Sequence, residues 1–356
     1  PVNRSFAISK TAKQSNFFLF FRSFAKSAGV LVALIGYIVL LGWLFGIPIL
    51  KSILPVWVTM KANAAICFIL CGSALQQLCK TSRRSARSAQ VLAAIALGIG
   101  FLTLIEYGFG IDLGIDQLLF KESATAVATS APGRMAVNTA LNFLLLGSAL
   151  FLTSKPRSFQ PGIQAFTLIA FFIALLGLLG YIYNIQEFYG FGSYTKMAVH
   201  TAIAFILLCL GILCLHPDRG IMSTLTSQDA GGMMFRRLLL PVFILPPILS
   251  GIILIGYRAK FYNSDVGLAL SALFSILVFA IVTWIHARAL GKIDARWQHA
   301  EAQRQSEARF RSLITATSQI VWTNTVDGRV IEDSPSWRAY TGQTFAQYQE
   351  FGWLSA

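Results

Sequence analysis

The sequence predicts an all-α polytopic membrane bundle of about eight transmembrane helices, built from three tandem helical-hairpin repeats. Three observations predict this fold class. The 356-residue chain is 55% hydrophobic and only 12% charged, a composition that soluble proteins seldom have. Several apolar runs reach about 19 residues, which is long enough to cross the hydrocarbon core of a bilayer. One apolar helix start also occurs three times.

The elements follow in order along the chain. Residues 1–27 contain "SNFFLFFRSFAKS" without a small-residue cleavage site, which predicts a cytoplasmic or interfacial segment rather than a removed signal. The membrane domain is predicted over residues 28–287. Its eight apolar runs are 28–50, 60–79, 88–109, 135–154, 162–184, 197–215, 236–256 and 265–287.

The charge pattern predicts the orientation of these spans. With residue 1 in the cytoplasm, the inner segments hold 17 basic residues and three acidic residues. The outer segments hold seven basic residues and six acidic residues. Cytoplasmic loops of membrane proteins carry this excess of lysine and arginine. The pattern therefore predicts a multi-pass membrane protein with both termini in the cytoplasm. Basic flanks facing anionic lipid also account for the net charge of +14, so no nucleic-acid partner is expected.

The repeat defines three equivalent helices. "MAVNTALNFLLLGSAL" from Met135 shares 8 of 16 positions with "MAVHTAIAFILLCLGI" from Met197 and 9 with "MKANAAICFILCGSAL" from Met60. The preceding outward helices end alike, in "GWLFG" (42–46), "EYGFG" (106–110) and "GYIYN" (180–184). The repeating unit is therefore a helical hairpin, and the last two spans form a different pair.

Each repeated helix carries a stripe that is polar at its outer end. Asn63, Asn138, Asn142 and His200 occupy this part of the stripe. Because a polar side chain in lipid needs a partner, the stripes are expected to face the bundle axis. Two interpretations stay open: hydrogen bonds that fix the bundle, or an outward-facing ligand site.

Other residues invite functional interpretations too. Glu106 lies near the outer end of the third span, where Arg134 is positioned to pair with it, either structurally or as part of a sensing site. The loop 110–120 between them is predicted to cap the bundle as a short helix. Pro241, Pro246 and Pro247 are expected to kink the seventh span, as a moving part or for packing.

The composition changes abruptly after the last span. Residues 288–313 are rich in alanine, arginine, glutamine and glutamate, and Ile293 and Trp297 belong to a 3-4 spaced seam. This pattern is typical of a weak coiled coil. We expect a signalling helix that forms a homodimer, with a solvated linker as the alternative.

The stretch "RFRSLITATSQIVWTNTVDGRVIEDSPSWRAYTGQT" resembles the opening of a PAS domain in bacterial sensor histidine kinases. The resemblance implies a truncated α+β PAS domain over residues 314–356. The upstream repeats, with "HPDRG" and "SILVFAIVTW", resemble a multi-span region that precedes PAS domains in such kinases. No phosphoacceptor helix or ATP-binding lobe occurs within the sequence, so the resemblance implies a kinase only for a longer parent protein.

The resemblance thus implies the sensory input region of a two-component system in the bacterial inner (plasma) membrane, with a response regulator as the downstream partner. Alternatives are the same sensor on a diguanylate cyclase or phosphodiesterase, and a small-solute transporter or channel. Clustered catalytic side chains inside the spans are nearly missing, which disfavours an intramembrane enzyme. No metal ligand is predicted, because the five cysteines are expected to be buried thiols. No cofactor is assigned.

Overall fold

The structure is a computed structural model that describes residues 2–54, 56–80, 82–123, 125–154, 159–190, 192, 194–227, 229–316, 320 and 324–355. For residues 2–16, 230 and part of 287–316 the description covers the backbone alone. The chain divides into two compact units, Pro1–Val282 and Thr283–Ala356.

The regular secondary structure of the described residues is helical. The twelve α-helices of this part are α1 Val2–Leu44, α2 Pro48–Lys51, α3 Ala62–Leu78, α4 Arg83–Phe109, α5 Val137–Leu152, α6 Gln160–Tyr183, α7 Val199–Leu215, α8 Gly220–Thr226, α9 Ala230–Arg258, α10 Ser264–Ala316, α11 Pro335–Thr341 and α12 Phe345–Tyr348. Short 3₁₀ turns follow α6 and α12.

Three hairpins form a closed ring in the first unit. Helix α1 packs against α3, α4 against α5, and α6 against α7. Each repeated helix also packs against the next outward helix, and α7 closes the ring on α1. We call the end where α3, α5 and α7 begin the cap end. The opposite end, which carries Arg22, Lys80, Arg83, Arg84 and Arg219, is the basic end.

The three repeated helices meet at the centre of this ring. Phe68, Phe143 and Phe205 occupy the same position in the three copies, and the centroids of their rings lie 4.7–4.8 Å apart in all three pairs. None of the three side chains is exposed. The repeat in the sequence therefore builds an approximate threefold axis that is filled by aromatic rings.

Glycines set the spacing within the first two hairpins. A Cβ atom on Gly36 would lie 2.5 Å from the carbonyl oxygen of Ala65, and one on Gly100 would lie 2.7 Å from that of Ala140. Ala65 and Ala140 hold equivalent repeat positions. Small residues at helix contacts let two backbones approach closely in a membrane, and these two hairpins use them identically.

The prediction of about eight transmembrane helices is wrong. Five helices of the described chain are long and apolar enough to span a membrane, or six if the pair α7 and α8, bent by 76°, counts as one span. Helices α3 and α5 have 17 and 16 residues. At 1.5 Å per residue they measure about 25 Å, less than the ~30 Å hydrocarbon core. The apolar runs looked longer because the residues before each helix are extended rather than helical.

Two further boundaries differ from the sequence-based expectation. Helix α1 runs without a break from Val2 to Leu44, so the predicted interfacial segment is continuous with the first apolar stretch, Phe17–Leu44. The loop 110–120 forms turns rather than the short helix expected from its periodicity. Gly110 and Gly114 adopt positive φ angles there, which a helix does not accommodate.

The last pair of apolar helices, α9 and α10, contributes little to the core. Helix α9 attaches to α6 through a bond from Tyr183 Oη to the carbonyl of Pro247, 2.5 Å, and a contact between Phe171 and Phe243. Its three prolines lie inside a helix that continues through them. Tyr262, after α9, donates to the carbonyl of Ile253 at 2.6 Å.

The described residues of the second unit do not form the predicted α+β PAS domain. In its described residues the only β-type pairing consists of isolated bridges, Asn324 with Val330 and Val330 with Glu350. An Asp-Gly pair is a hairpin signal, and the turn at Asp327–Gly328 closes, with Thr325 N donating to Arg329 O at 2.8 Å. A single two-stranded hairpin is marginal without further strands, so correct local turn signals do not produce a sheet here.

Candidate functional site

An aromatic side chain fixes the start of every repeated helix. Trp43 Nε1 donates to the carbonyl of Met60 at 2.9 Å, Tyr107 Oη to that of Met135 at 3.0 Å, and Tyr181 Oη to that of Met197 at 2.8 Å. The three donors are each the second residue of the aromatic motifs that end the outward helices. The repeat is therefore preserved in individual hydrogen bonds at the cap end.

One loop crosses the cap end and contacts all three hairpins. We call this loop, residues 111–123 and 125–134, the cap segment. It reaches the first hairpin through Glu122 and Lys61, the second through Arg134 and Glu106, and the third through Ser130 and Thr195. The loop belongs to the second hairpin, yet it ties the ends of the other two together.

Lys61 and Glu122 form a buried ion pair beneath the cap segment. Their charged atoms lie 2.6 Å apart, and the side chains are 3% and 6% exposed. Lys61 Nζ also donates to Thr129 Oγ1 at 2.8 Å, and Gly133 N donates to Glu122 at 2.7 Å. Burial lowers the pKa of Lys61, an effect that Glu122 opposes. The pair holds the cap segment to the start of α3.

Arg134 organises a second charged cluster. Its Nε lies 2.6 Å from Asp116 Oδ2, and its Nη2 lies 3.4 Å from Glu106 Oε1 and 3.8 Å from Asp112 Oδ1. Asn63 Nδ2 donates to Asp116 at 3.4 Å. Burial raises the pKa of Asp116, while the hydrogen bond and charge of Arg134 lower it. The ion pair expected between Glu106 and Arg134 is thus present, within a larger group.

The three carboxylates of this cluster have a spacing suited to a cation. One oxygen each of Glu106, Asp112 and Asp116 lies within 4.8 Å of the others, close enough to share a metal ion. The guanidinium of Arg134 contacts all three. Because an arginine in the cluster supplies positive charge to each carboxylate, the geometry is complete without a metal, and we assign none.

Some buried polar atoms of the bundle have no hydrogen-bond partner in the described part of the chain. They include Glu106 Oε2, Thr103 Oγ1 and both amide atoms of Asn142, three residues that are fully buried. Unlike Thr153 and Thr167, Thr103 does not bond the carbonyl four residues earlier. Buried polar groups are normally satisfied, so these atoms are exceptions within the bundle.

The predicted polar stripe does not form one cluster. Asn63 binds Asp116, Asn138 Oδ1 accepts from Thr139 N at 3.0 Å, and His200 has no hydrogen bond within the described residues. The expected orientation toward the axis also differs, because the phenylalanine rings fill the axis. Cys67, on the stripe of α3, lies instead 4.0 Å from the carbonyl of Ala96 on α4.

The residues predicted to transmit a signal are distributed over α9 and α10. Pro247 accepts the bond from Tyr183, whereas Pro241 and Pro246 lie inside α9 without a kink that divides the helix. Ile293 and Trp297 lie in α10, where the description covers the backbone alone. Whether these residues transmit a signal stays a prediction.

Sequence reasoning missed Lys61, Asp116, Glu122 and Thr129. A signal for Lys61 was available, because the other two repeat copies have alanine at its position, Ala136 and Ala198. A charge that interrupts an otherwise apolar repeat needs a partner. The identity of that partner depends on how the cap segment folds back, which the linear pattern does not contain.

Protein-family models, curated proteins and solved structures were compared with the chain, and none matches it. The fold and the site together define the class of protein. The chain is a helical membrane protein whose long apolar helices contact the lipid bilayer, with a charged cap across one end of a hairpin bundle. Its resemblance to the input regions of sensor kinases stays a prediction.

Proposed function

We propose that the chain is the membrane-embedded sensory input region of a bacterial signal-transduction protein, of the sensor histidine kinase type. The observation that carries this proposal is the cap segment, which joins the ends of three hairpins through two ion pairs and a hydrogen bond. A stimulus that alters one of these pairs changes the packing of all three hairpins together. Such a bistable element responds only to a stimulus with different affinity for its two packings.

The output path in this proposal is helix α10. It is continuous over 53 residues from Ser264 to Ala316, and only its first part, Ser264–His286, is apolar. A helix that is continuous from an apolar into a charged stretch supports relay of a rotation or shift. The polar part would form the homodimer contact, and a response regulator would receive the signal from the full-length protein.

The proposed location is the bacterial inner membrane, with the basic end in the cytoplasm. Arg22, Lys80, Arg83 and Arg84 lie at this end of the ring, and Arg288 lies just beyond the last apolar stretch. Cytoplasmic flanks of spans are enriched in such residues. In this orientation the cap segment faces the periplasm, where it is accessible to external solutes.

The test is a reporter chimera in which the full chain precedes the catalytic half of a sensor kinase. Arg134→Gln and Lys61→Met should shift the output to a fixed level, because each breaks one cap contact. Asn138→Leu and His200→Leu test the predicted ligand-site residues in the same assay. Lys121→Gln is the matched control, since Lys121 is an exposed cap residue. Unchanged output in every cap variant would refute the proposal.

A second arm tests the relay. Inserting residues into α10 after residue 300 rotates the following helix by about 100° per residue, whereas seven residues restore a heptad seam. Output should therefore vary with the number of inserted residues and return to the wild-type level when seven residues are inserted. Output that is independent of insertion length contradicts relay through α10.

The bent helix pair favours a second candidate, a small-solute transporter or channel. Helices α7 and α8 meet at 76° after a short break, and broken helices line many transport sites. Solute flux into liposomes that contain the full chain, absent from empty liposomes, would support this function over the sensor.

A further inference from the structure

A cavity opens at the basic end of the hairpin ring. It has a volume of ≈ 440 Å³, within the usual range for small-molecule sites. It lies between the start of the apolar stretch of α1 and the ends of α3 and α7. Its lining includes Phe18, Leu19, Arg22, Lys80, His216 and Asp218.

Two cations define the polar side of the cavity. Arg22 Nη2 donates to the carbonyl of Cys79 at 2.8 Å, which fixes the guanidinium at the rim. A guanidinium has five N–H donors, so donors remain beyond this one bond for a bound anion. Lys80 lies on the neighbouring element and is exposed. Asp218 also lines the cavity, and Arg219 lies 3.6 Å from it, which offsets part of its charge.

The other side of the cavity is apolar. Leu19 is 65% exposed, and Leu78 and Leu215 complete the lining from the ends of α3 and α7. Arg22 and Lys26 are the last charged residues before the uninterrupted apolar run that begins at residue 28, which places Arg22 and the nearby Leu19 near the boundary between the hydrocarbon and headgroup layers of a bilayer. The cavity therefore joins a charged half to an apolar half at the depth of lipid phosphates.

We propose that this cavity binds the phosphate headgroup of an anionic phospholipid, with Arg22 and Lys80 contacting the phosphate and Leu19 contacting the acyl chain. Basic pockets between membrane helices recognise lipid headgroups in this way. A free phosphate ion shares the same charged chemistry, but it makes no use of the apolar half. The amphipathic lining therefore favours the lipid.

The experiment measures lipid retention by the full chain. The protein is placed in nanodiscs of phosphatidylcholine with increasing phosphatidylglycerol, and retained lipid is quantified by native mass spectrometry. The wild type should retain phosphatidylglycerol preferentially. Lys80→Gln and Arg22→Gln should each weaken retention about fivefold, because each removes one of the two cations that contact the phosphate inside the cavity.

Arg83→Gln and Arg84→Gln are the matched controls. Both arginines are exposed at the same end of the ring and neither lines the cavity, so retention should stay at the wild-type level. An equal loss in the controls would show general surface attraction and overturn the proposal. So would unchanged retention in both cavity variants.

Two further arms keep the result interpretable. Arg22→Lys retains the charge and a donor, and it should retain the lipid even if Arg22→Gln unfolds when its bond to Cys79 is lost. Thermal unfolding in pure phosphatidylcholine identifies such a folding defect. Inorganic phosphate is then added to the phosphatidylcholine nanodiscs. If phosphate stabilises the wild type as well as phosphatidylglycerol does, the site binds a free anion and the lipid proposal is wrong.

Discussion

The hairpin ring and the pair α9 and α10 are equally apolar, but they use their apolar residues in opposite ways. Over an 18-residue apolar window of each helix, 44% of the residues are buried in α1, and 28% are buried in both α4 and α6. The corresponding fraction in both α9 and α10 is 6%. Large side chains such as Ile252 and Leu268 are 62% and 76% exposed.

The difference shows what holds helices together in lipid. Acyl chains are as apolar as leucine, so hydrophobicity alone does not drive helices together there. The ring packs because small residues allow close contact and because aromatic and charged side chains bond across its cap end. Helix α9 lacks such a surface and attaches by a few contacts, including a bond from Arg258 to the carbonyl of Tyr183 at 2.6 Å.

The largest expected effect comes from the centre of the ring. Phe143→Ala should lower the free energy of unfolding by about 3–5 kcal/mol, because it leaves a cavity between Phe68 and Phe205. Phe101→Ala on α4, where the ring is 50% exposed, should cost far less. Thermal unfolding in detergent micelles measures both. The comparison fails if Ile252→Ala on α9 is as destabilising as Phe143→Ala.

The next effect concerns the buried ion pair. Lys61→Met should cost about 3 kcal/mol, because it leaves the carboxylate of Glu122 buried without its counter-charge. The double variant Lys61→Met/Glu122→Leu should recover much of this loss. Lys121→Met is the exposed control and should change stability by less than about 0.5 kcal/mol. Equal losses in the single and double variants would show that the charges are not coupled.

Two glycines of α4 should respond with opposite sign. Gly100→Ala should destabilise by about 1–3 kcal/mol, because the new Cβ meets the backbone of α5. Gly98 has open space at its Cβ position, so Gly98→Ala should stabilise by up to about 1 kcal/mol through helix propensity. Unfolding temperatures of both variants decide this. If both substitutions change the unfolding temperature in the same direction, close backbone contact at Gly100 does not set the distance between α4 and α5.

The smallest expected effect is a pH dependence from Asp116. Because burial raises the pKa of Asp116 above its ordinary value of 3.8, the folded chain holds this proton more tightly than the unfolded chain. Its contribution to stability is therefore fully present below pH 3.8 and is lost as the pH rises through the raised pKa. Asp116→Asn should flatten the curve of unfolding temperature against pH in this window. Parallel curves for wild type and variant would contradict the shift.

Much of the local structure followed from short-range signals. A serine followed by proline is a helix-start signal, and the helix over Pro335–Thr341 begins there, with Ser334 Oγ accepting from Trp337 N at 3.2 Å. The repeat correctly identified three equivalent helices and the aromatic residues that precede them. The number of spans was wrong, because hydropathy does not distinguish an extended apolar residue such as Met60 from a helical one.

The candidate site was predictable only in part. Glu106 and Arg134 were matched from opposite charges near the same depth, and the structure pairs them. Lys61 and Glu122 are 61 positions apart, and their pairing requires the cap segment to fold across the bundle. The polar stripe was wrongly assigned to the axis. Helical periodicity shows which residues share a face, but it does not show which neighbouring helix that face meets.

The sequence by itself determined that the chain is apolar, helical and threefold repeated, because composition and periodicity are local properties that do not depend on how the helices pack. The tertiary structure alone decided that phenylalanines fill the axis and that the cap segment joins all three hairpins. It also decided that most apolar side chains of α9 and α10 are exposed rather than packed in the core. These features depend on distances between residues far apart in the chain, which are set by how closely each pair of backbones approaches.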